Sequence, residues 1–205
     1  MLLVVGLGNP GRAYAAHRHN VGFAVVDELA RLCGADAWRD KFSGEYARAA
    51  LAGEPAVLLK PMTFMNQSGL CVQPAMAFFK VGLDGLCVVH DELDLPFGTV
   101  RLKLGGGHAG HNGLRSIMAH AGGGDFGRVR FGIGRPPAGF RGEVADFVLS
   151  GFSGEERAEL PDRIRDAAQA VVQVAERGWA GAMTARNTRP KPPPKPKTEP
   201  SGAGS

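Results

Sequence analysis

A chain of 205 residues, 44% hydrophobic and 21% charged, can bury one core and is too apolar to stay disordered. Its three cysteines, Cys33, Cys71 and Cys87, include no CxxC pair, which excludes a zinc knuckle or disulfide framework and points to a reduced compartment. The net charge of +4 lies in residues 186–205, where Arg186, Arg189, Lys191, Lys195 and Lys197 face Glu199 alone, while residues 1–185 hold 19 cations and 19 acids; nucleic-acid binding by the folded part therefore requires a local patch.

In chain order, Met1 to Val5 is an apolar run without a basic flank that meets glycine too soon for a signal peptide or membrane span. It is predicted as a first strand, and the expected location is the cytoplasm. "GLGNPG" follows, with Gly6, Gly8 and Gly11 matching the letter of the dinucleotide-binding fingerprint. The context does not match. Arg12 to Asn20 is polar and cation-rich with no apolar face, and a helix begins only after Asn20, an expected N-cap, with Val21, Val25, Leu29 and Leu32 on one stripe ending at Gly34. Asp27 and Glu28, which a ribose would need at the tip of a second strand, fall inside that helix.

"EYARAAL" and "AVLLK" read as paired strands around Gly53-Glu54-Pro55, and "QSGLCVQPAMAFFKVG" as a helix containing Pro74. "LCVVHDELD" is a buried strand running into acids. "TVRLKLGGG" alternates Val100, Leu102 and Leu104 with Arg101 and Lys103, "HNGLRSIMAH" is a helix, and "GRVRFGIG" puts Arg128 beside Arg130. "SGEERAELPDRIRDAAQAVVQVAERG" opens with a Ser153-x-x-Glu156 capping box, carries Ile164, Ala168, Val171 and Ala175 on one stripe and closes at Gly178. The alternation predicts an α/β single-domain three-layer sandwich over residues 1–187, a twisted mixed β-sheet flanked by helices. Residues 188–205, Pro/Lys-rich and then Gly/Ser-rich, are expected to form an extended, disordered tail.

Polar clusters fall at the expected strand ends, where such folds place chemistry. Asn9 and His19 follow the first strand, Asn66 closes "PMTFMN", His90 and Asp91 end "LCVVHD", and Lys103, His108, His111 and Asn112 flank a glycine-rich loop. No serine sits in a GxSxG elbow. An imidazole, a carboxylate and several amides instead suit a general base that activates water, with neutral donors to orient it. His90, His108 and His111 near Asp91 lack HxH or HExxH spacing, so no metal is expected.

Taken together, "GLGNPGRAYAAHRHNVGF", "KPMTFMNQSG", "HDELDLPFG" and "KLGGGHAGHNGLRS" closely resemble the ordered motifs of the bacterial peptidyl-tRNA hydrolases, from Met1 to about Asn187. The resemblance implies a monomeric enzyme without metal or other cofactor that cleaves the ester between a peptide and tRNA. It assigns His19 as catalytic base, Asp91 as its orienting acid and Asn112 as a water-orienting or oxyanion-side donor. It also assigns Asn9 and Asn66 as substrate-positioning amides, places Tyr14 at the acceptor end and matches Lys103 and Arg130 to phosphate-binding cations. Beside that, Met65 is a candidate for the substrate groove because it adjoins Asn66, and His111 is expected near the RNA. The wider patch is Arg101, Lys103, Arg128 and Arg130. One departure is Ala109, where the usual loop has another glycine. The competing reading is an RNA-binding protein of this fold without hydrolysis, against which the joint presence of Asn9, His19, Asn66, Asp91 and Asn112 weighs.

Overall fold

The computed structural model describes residues 1–187, and the predicted tail lies outside them. One mixed sheet contains β1 (Leu2–Gly6), β2 (Arg39–Lys41), β3 (Gly44–Leu51), β4 (Glu54–Pro61), β5 (Leu86–Glu92), β6 (Val100–Leu104) and β7 (Gly127–Gly132). The strands lie in the order β2-β3-β4-β1-β5-β7-β6. β4, β1, β5 and β7 form a parallel centre, with antiparallel additions at both edges. The three-residue β2 is absent from the sequence reading because its exposed Arg-Asp-Lys carries no apolar alternation.

Period-two alternation sends neighbouring residues to opposite faces. Leu3, Val5, Leu59 and Val88 share a core with Cys71 and Ala75 of α2 (Ser68–Phe79) and with Leu114 and Ile117 of α3 (Asn112–Ala121). Val4, Leu58, Cys87 and Val129 turn the other way, toward Val25 and Leu29 of α1 (Val21–Cys33) and Ala167 and Val171 of α5 (Gly154–Asn187). A short α4 (Val144–Val148) precedes α5. Leu104, expected in the core, is 51% exposed at the end of edge strand β6. α5 continues past its predicted stop: Gly178 breaks it at φ 68°, ψ 170°, and a second helical stretch follows. The break accompanies the packing of Trp179 over Gly127, where a Cβ would come within 1.7 Å of the indole.

Packing accounts for Gly6 of "GLGNPG". A Cβ on Gly22, in the first turn of α1, would lie 2.4–2.5 Å from Leu7 N and O and Val89 O, and one on Gly6 would lie 2.3 Å from Gly22 O. α1 thus rests backbone to backbone on β1 and β5. The two acids that a dinucleotide would require are engaged elsewhere: Asp27 pairs with Lys60 at 2.8 Å, and Glu28 with Arg31 and Arg165.

Candidate active site

β1 ends in a loop that returns as a 3-10 turn, Arg18–Asn20, directly before α1. The turn delivers His19 to the carboxyl-end side of the parallel strands, where the last residues of β5 carry Asp91. His19 Nδ1 lies 2.8 Å from Asp91 Oδ1, with both side chains buried. An ionised carboxylate only accepts, so this contact places the proton of a neutral His19 on Nδ1 and leaves Nε2 as the basic lone pair. Burial opposes charge on His19, but the charge of Asp91 and its hydrogen bond outweigh that and raise the pKa above the ordinary 6.5. Burial alone would push the Asp91 carboxyl up; the two imidazoles beside it hold it well below the usual carboxylate range instead.

The second imidazole is His111, whose Nε2 lies 2.9 Å from the same Asp91 oxygen. Its Nδ1 accepts from Gly113 N and Leu114 N at 3.2 and 3.4 Å, so His111 is the N-cap of α3 and its neutral ring carries the proton on Nε2. The sequence places His111 near RNA and gives it no part in capping the helix. The structure uses His111 to brace the carboxylate from the opposite side, with its ring 4.9 Å from that of His19. Asn112, the first residue after that cap, is exposed and lines the same cleft of about 450 Å³ as His19, Asp91 and His111. His90, unassigned by sequence, is buried with Nδ1 donating to the Asp91 carbonyl at 2.8 Å. Burial, reinforced by His111, lowers its pKa to about 3 and keeps the ring neutral.

Four other predicted residues lie outside the lining of that cleft, around the β1 and β4 loops. Asn20, expected to cap α1, makes no capping bond; its Oδ1 accepts from Asn9 N and its Nδ2 donates to Asn9 O. Asn9 Oδ1 in turn accepts from Met65 N at 2.7 Å, fixing the turn that exposes Asn66. Met65 is 4% exposed and packs beneath Gly113 at the start of α3, because an apolar side chain there completes the core. Tyr14 sets its ring edge-on to exposed Phe64, with centroids 6.3 Å apart. Asn20 was missed as part of the site although "RHN" contains it; its partnership with Asn9 spans a loop that periodicity does not describe.

The cationic patch divides. Lys103 is exposed, and Arg130 is half-buried with Nε 3.0 Å from Glu92; both line the cleft. Arg101 turns around the sheet edge to the carbonyl of Arg186. Arg128, expected to project with Arg130, is 2% exposed and bonded to main-chain carbonyls. The reason is cover: the loop after β6 closes over that position. Burial first, and the like charge of Arg130 second, lower its pKa from the usual arginine value.

Arg18 anchors the turn that carries His19 from behind. It donates to Ser150 Oγ at 3.1 Å and to the Gly151 carbonyl, pairs with Glu156 at 2.6 Å, and lies over the rings of Phe147 and Phe152. Truncation to alanine removes all these contacts and leaves the Glu156 carboxylate with only the Ser153 amide and no cation, so Arg18→Ala is expected to cost about 2–3 kcal/mol, measured as a lower urea midpoint at unchanged m-value.

His19, Asp91 and His111 each offer one ligand atom within 4.8 Å of the others, and among the described residues they are the group that could take a metal. An ion there would have to replace both N–H···O hydrogen bonds. Among the described residues, no helix is long and apolar enough to cross a membrane.

Comparison with known proteins gives one consistent answer. The family model described as peptidyl-tRNA hydrolase matches residues 3–194. A peptidyl-tRNA hydrolase of Sorangium cellulosum is 68% identical over 203 residues, covering 99% of this chain and 91% of its own. That alignment includes the Pro/Lys-rich segment. Another, from Anaeromyxobacter dehalogenans, is 51% identical and covers 92% of this chain and 97% of its own. The crystal structure of peptidyl-tRNA hydrolase from Acinetobacter baumannii superposes with a TM-score of 0.83 at 40% identity, over 92% of this chain and 95% of the other. With the mixed seven-stranded sheet and the motif-bearing loops gathered at one end of it, these matches show that the chain belongs to the peptidyl-tRNA hydrolase family.

Proposed function

We propose that the chain hydrolyses the ester joining a peptide, or an N-blocked amino acid, to tRNA, recycling tRNA from prematurely released peptidyl-tRNA, and that His19 is the general base. The observation that carries this reading is the buried 2.8 Å contact of His19 Nδ1 with Asp91, which leaves Nε2 as the basic atom. Nε2 takes a proton from water as its oxygen attacks the ester carbonyl. The resulting tetrahedral oxyanion collapses with cleavage of the bond to the ribose oxygen, which receives the proton back from the imidazolium. General-base action of this kind supplies about 10²- to 10⁴-fold. Asp91 holds the ring in the productive tautomer and stabilises the transient imidazolium.

In this reading Asn112 orients the water or the developing oxyanion. Asn9 and Asn66 hold the peptide backbone, which suits a substrate of any sequence because a carboxamide donates and accepts without charge. Tyr14 meets the acceptor end, and Lys103 and Arg130 meet phosphates, giving salt-sensitive recognition by shape and backbone. The enzyme acts as a monomer without a metal. Incubation with N-acetyl-phenylalanyl-tRNA is expected to release N-acetyl-phenylalanine at a rate indifferent to EDTA. No release would refute the activity, and loss of rate with chelator would replace the base mechanism by a metal-dependent one.

A further inference from the structure

The glycine-rich segment after β6 carries a large share of the cleft wall, yet little side-chain packing fixes it: Gly105, Gly106 and Gly110 adopt φ of 64°, 101° and 82°. Ala109 lies at φ 47°, a left-handed conformation in which a residue with a Cβ is strained. Such a loop must be held from outside. At its entry, Gly105 N donates to Phe126 O at 3.0 Å; at its exit, His111 N donates to His108 O at 2.8 Å.

Between those points lies the guanidinium of Arg128. One Nη donates to the Gly107 carbonyl at 2.5 Å, and the other to the carbonyls of Gly106 and, at 3.3 Å, Gly124. Among the described residues no carboxylate lies within ion-pair distance of Arg128. Its charge is met by carbonyl dipoles and by the face of Phe126, 4.8 Å below. A planar fork with several fixed donors can hold carbonyls from two chain segments at once, which a single ammonium cannot. A Cβ on Gly124 would come 2.8 Å from Gly106 O and 3.4 Å from Arg128 Nη2, so the second segment is pressed directly against the first.

We infer that Arg128 is a positioning residue, resting on the ester-hydrolase reading above: by gripping Gly106, Gly107 and Gly124 it sets the loop that delivers His111 to Asp91 and Asn112 to the cleft. The line of force runs from the buried fork through residues 106–110 to the N-cap of α3, and from His111 Nε2 to the carboxylate that orients His19. Arg128 borders the cleft beside Lys103, its cross-strand partner, but its guanidinium is spent on the loop carbonyls, so it acts through the loop and not on substrate.

The test compares wild type, Arg128→Met and Arg128→Lys for turnover of N-acetyl-phenylalanyl-tRNA and for amide hydrogen exchange. In the Met variant, kcat is expected to fall about 10- to 100-fold with KM nearly unchanged, the scale that misplacement of catalytic groups produces. Exchange should quicken in residues 105–112 and 123–125 while α1 and β1 keep their protection. The Lys variant should lie between the two. Unchanged loop exchange, or full kcat with a loosened loop, overturns the inference. So does exchange that rises equally throughout the molecule, which would make Arg128 a general stability residue. A raised KM with a tRNA-binding salt slope smaller by about one would make it a phosphate contact instead. If the wild type itself fails to cleave the ester, the functional reading falls, and the exchange pattern still decides whether Arg128 holds the loop.

Discussion

Replacing His19 by alanine is expected to lower kcat on N-acetyl-phenylalanyl-tRNA at least about 100-fold, the minimum that a general base in this position supplies. The ring lies in a turn whose backbone is held by Arg18 and Asn20, so its loss should leave the fold and tRNA affinity close to wild type. Gel-shift binding and single-turnover kinetics on the same preparation separate the two effects. Turnover within a few fold of wild type would remove His19 from the chemistry and transfer the base role elsewhere in the cleft.

Asp91→Asn is expected to be about as damaging, with a loss of about 10²- to 10⁴-fold, because the carboxylate fixes the tautomer as well as the charge. Its signature is a pH shift. In the wild type, Asp91 raises the His19 pKa above 6.5 despite burial, and only the neutral ring can act as base. The acidic limb of kcat/KM therefore falls as pH drops through that raised value, and in the Asn variant the residual activity should have its limb at lower pH. An unmoved limb would mean that His19 is not the titrating base. The same coupling sets activity against stability: the gain from the raised pKa is complete below pH 6.5 and lost as pH rises through the folded-state value. The site thus adds most to folding when its base is protonated and idle.

Much of this organisation is legible in the sequence because the strongest signals are local. The continuous apolar runs of "LLVVG" and "LCVVHD" and the alternation of "GRVRFG" mark strands, and the stripe from Val21 to Leu32 marks α1 to within a residue. The meeting of His19 with Asp91 joins residues 72 positions apart, and only the resemblance of motifs pointed to it. What remained illegible depends on what covers a residue. Arg128 and Arg130 have the same phase on β7 and both border the cleft, but the loop after β6 takes up the guanidinium of Arg128 and buries it, while Arg130 stays half-buried beside Glu92. His111 reads as a loop histidine until the start of α3 turns its Nδ1 to the helix amides and its Nε2 to Asp91. The context of "GLGNPG" argues against a pyrophosphate site, while the use of Gly6 in seating α1 becomes visible only when Gly22, from a different motif, is brought against it.

That seat carries an evolutionary corollary. A contact made through a side chain can be tuned in small increments, an isoleucine exchanged for a valine, but one made through bare backbone offers no intermediate size. Any side chain at residue 6 or 22 meets backbone at once, while an apolar residue farther along the helix can be exchanged for one of similar size. The imidazole three residues upstream of Gly22 thereby inherits an address that mutation across most of that helix leaves undisturbed.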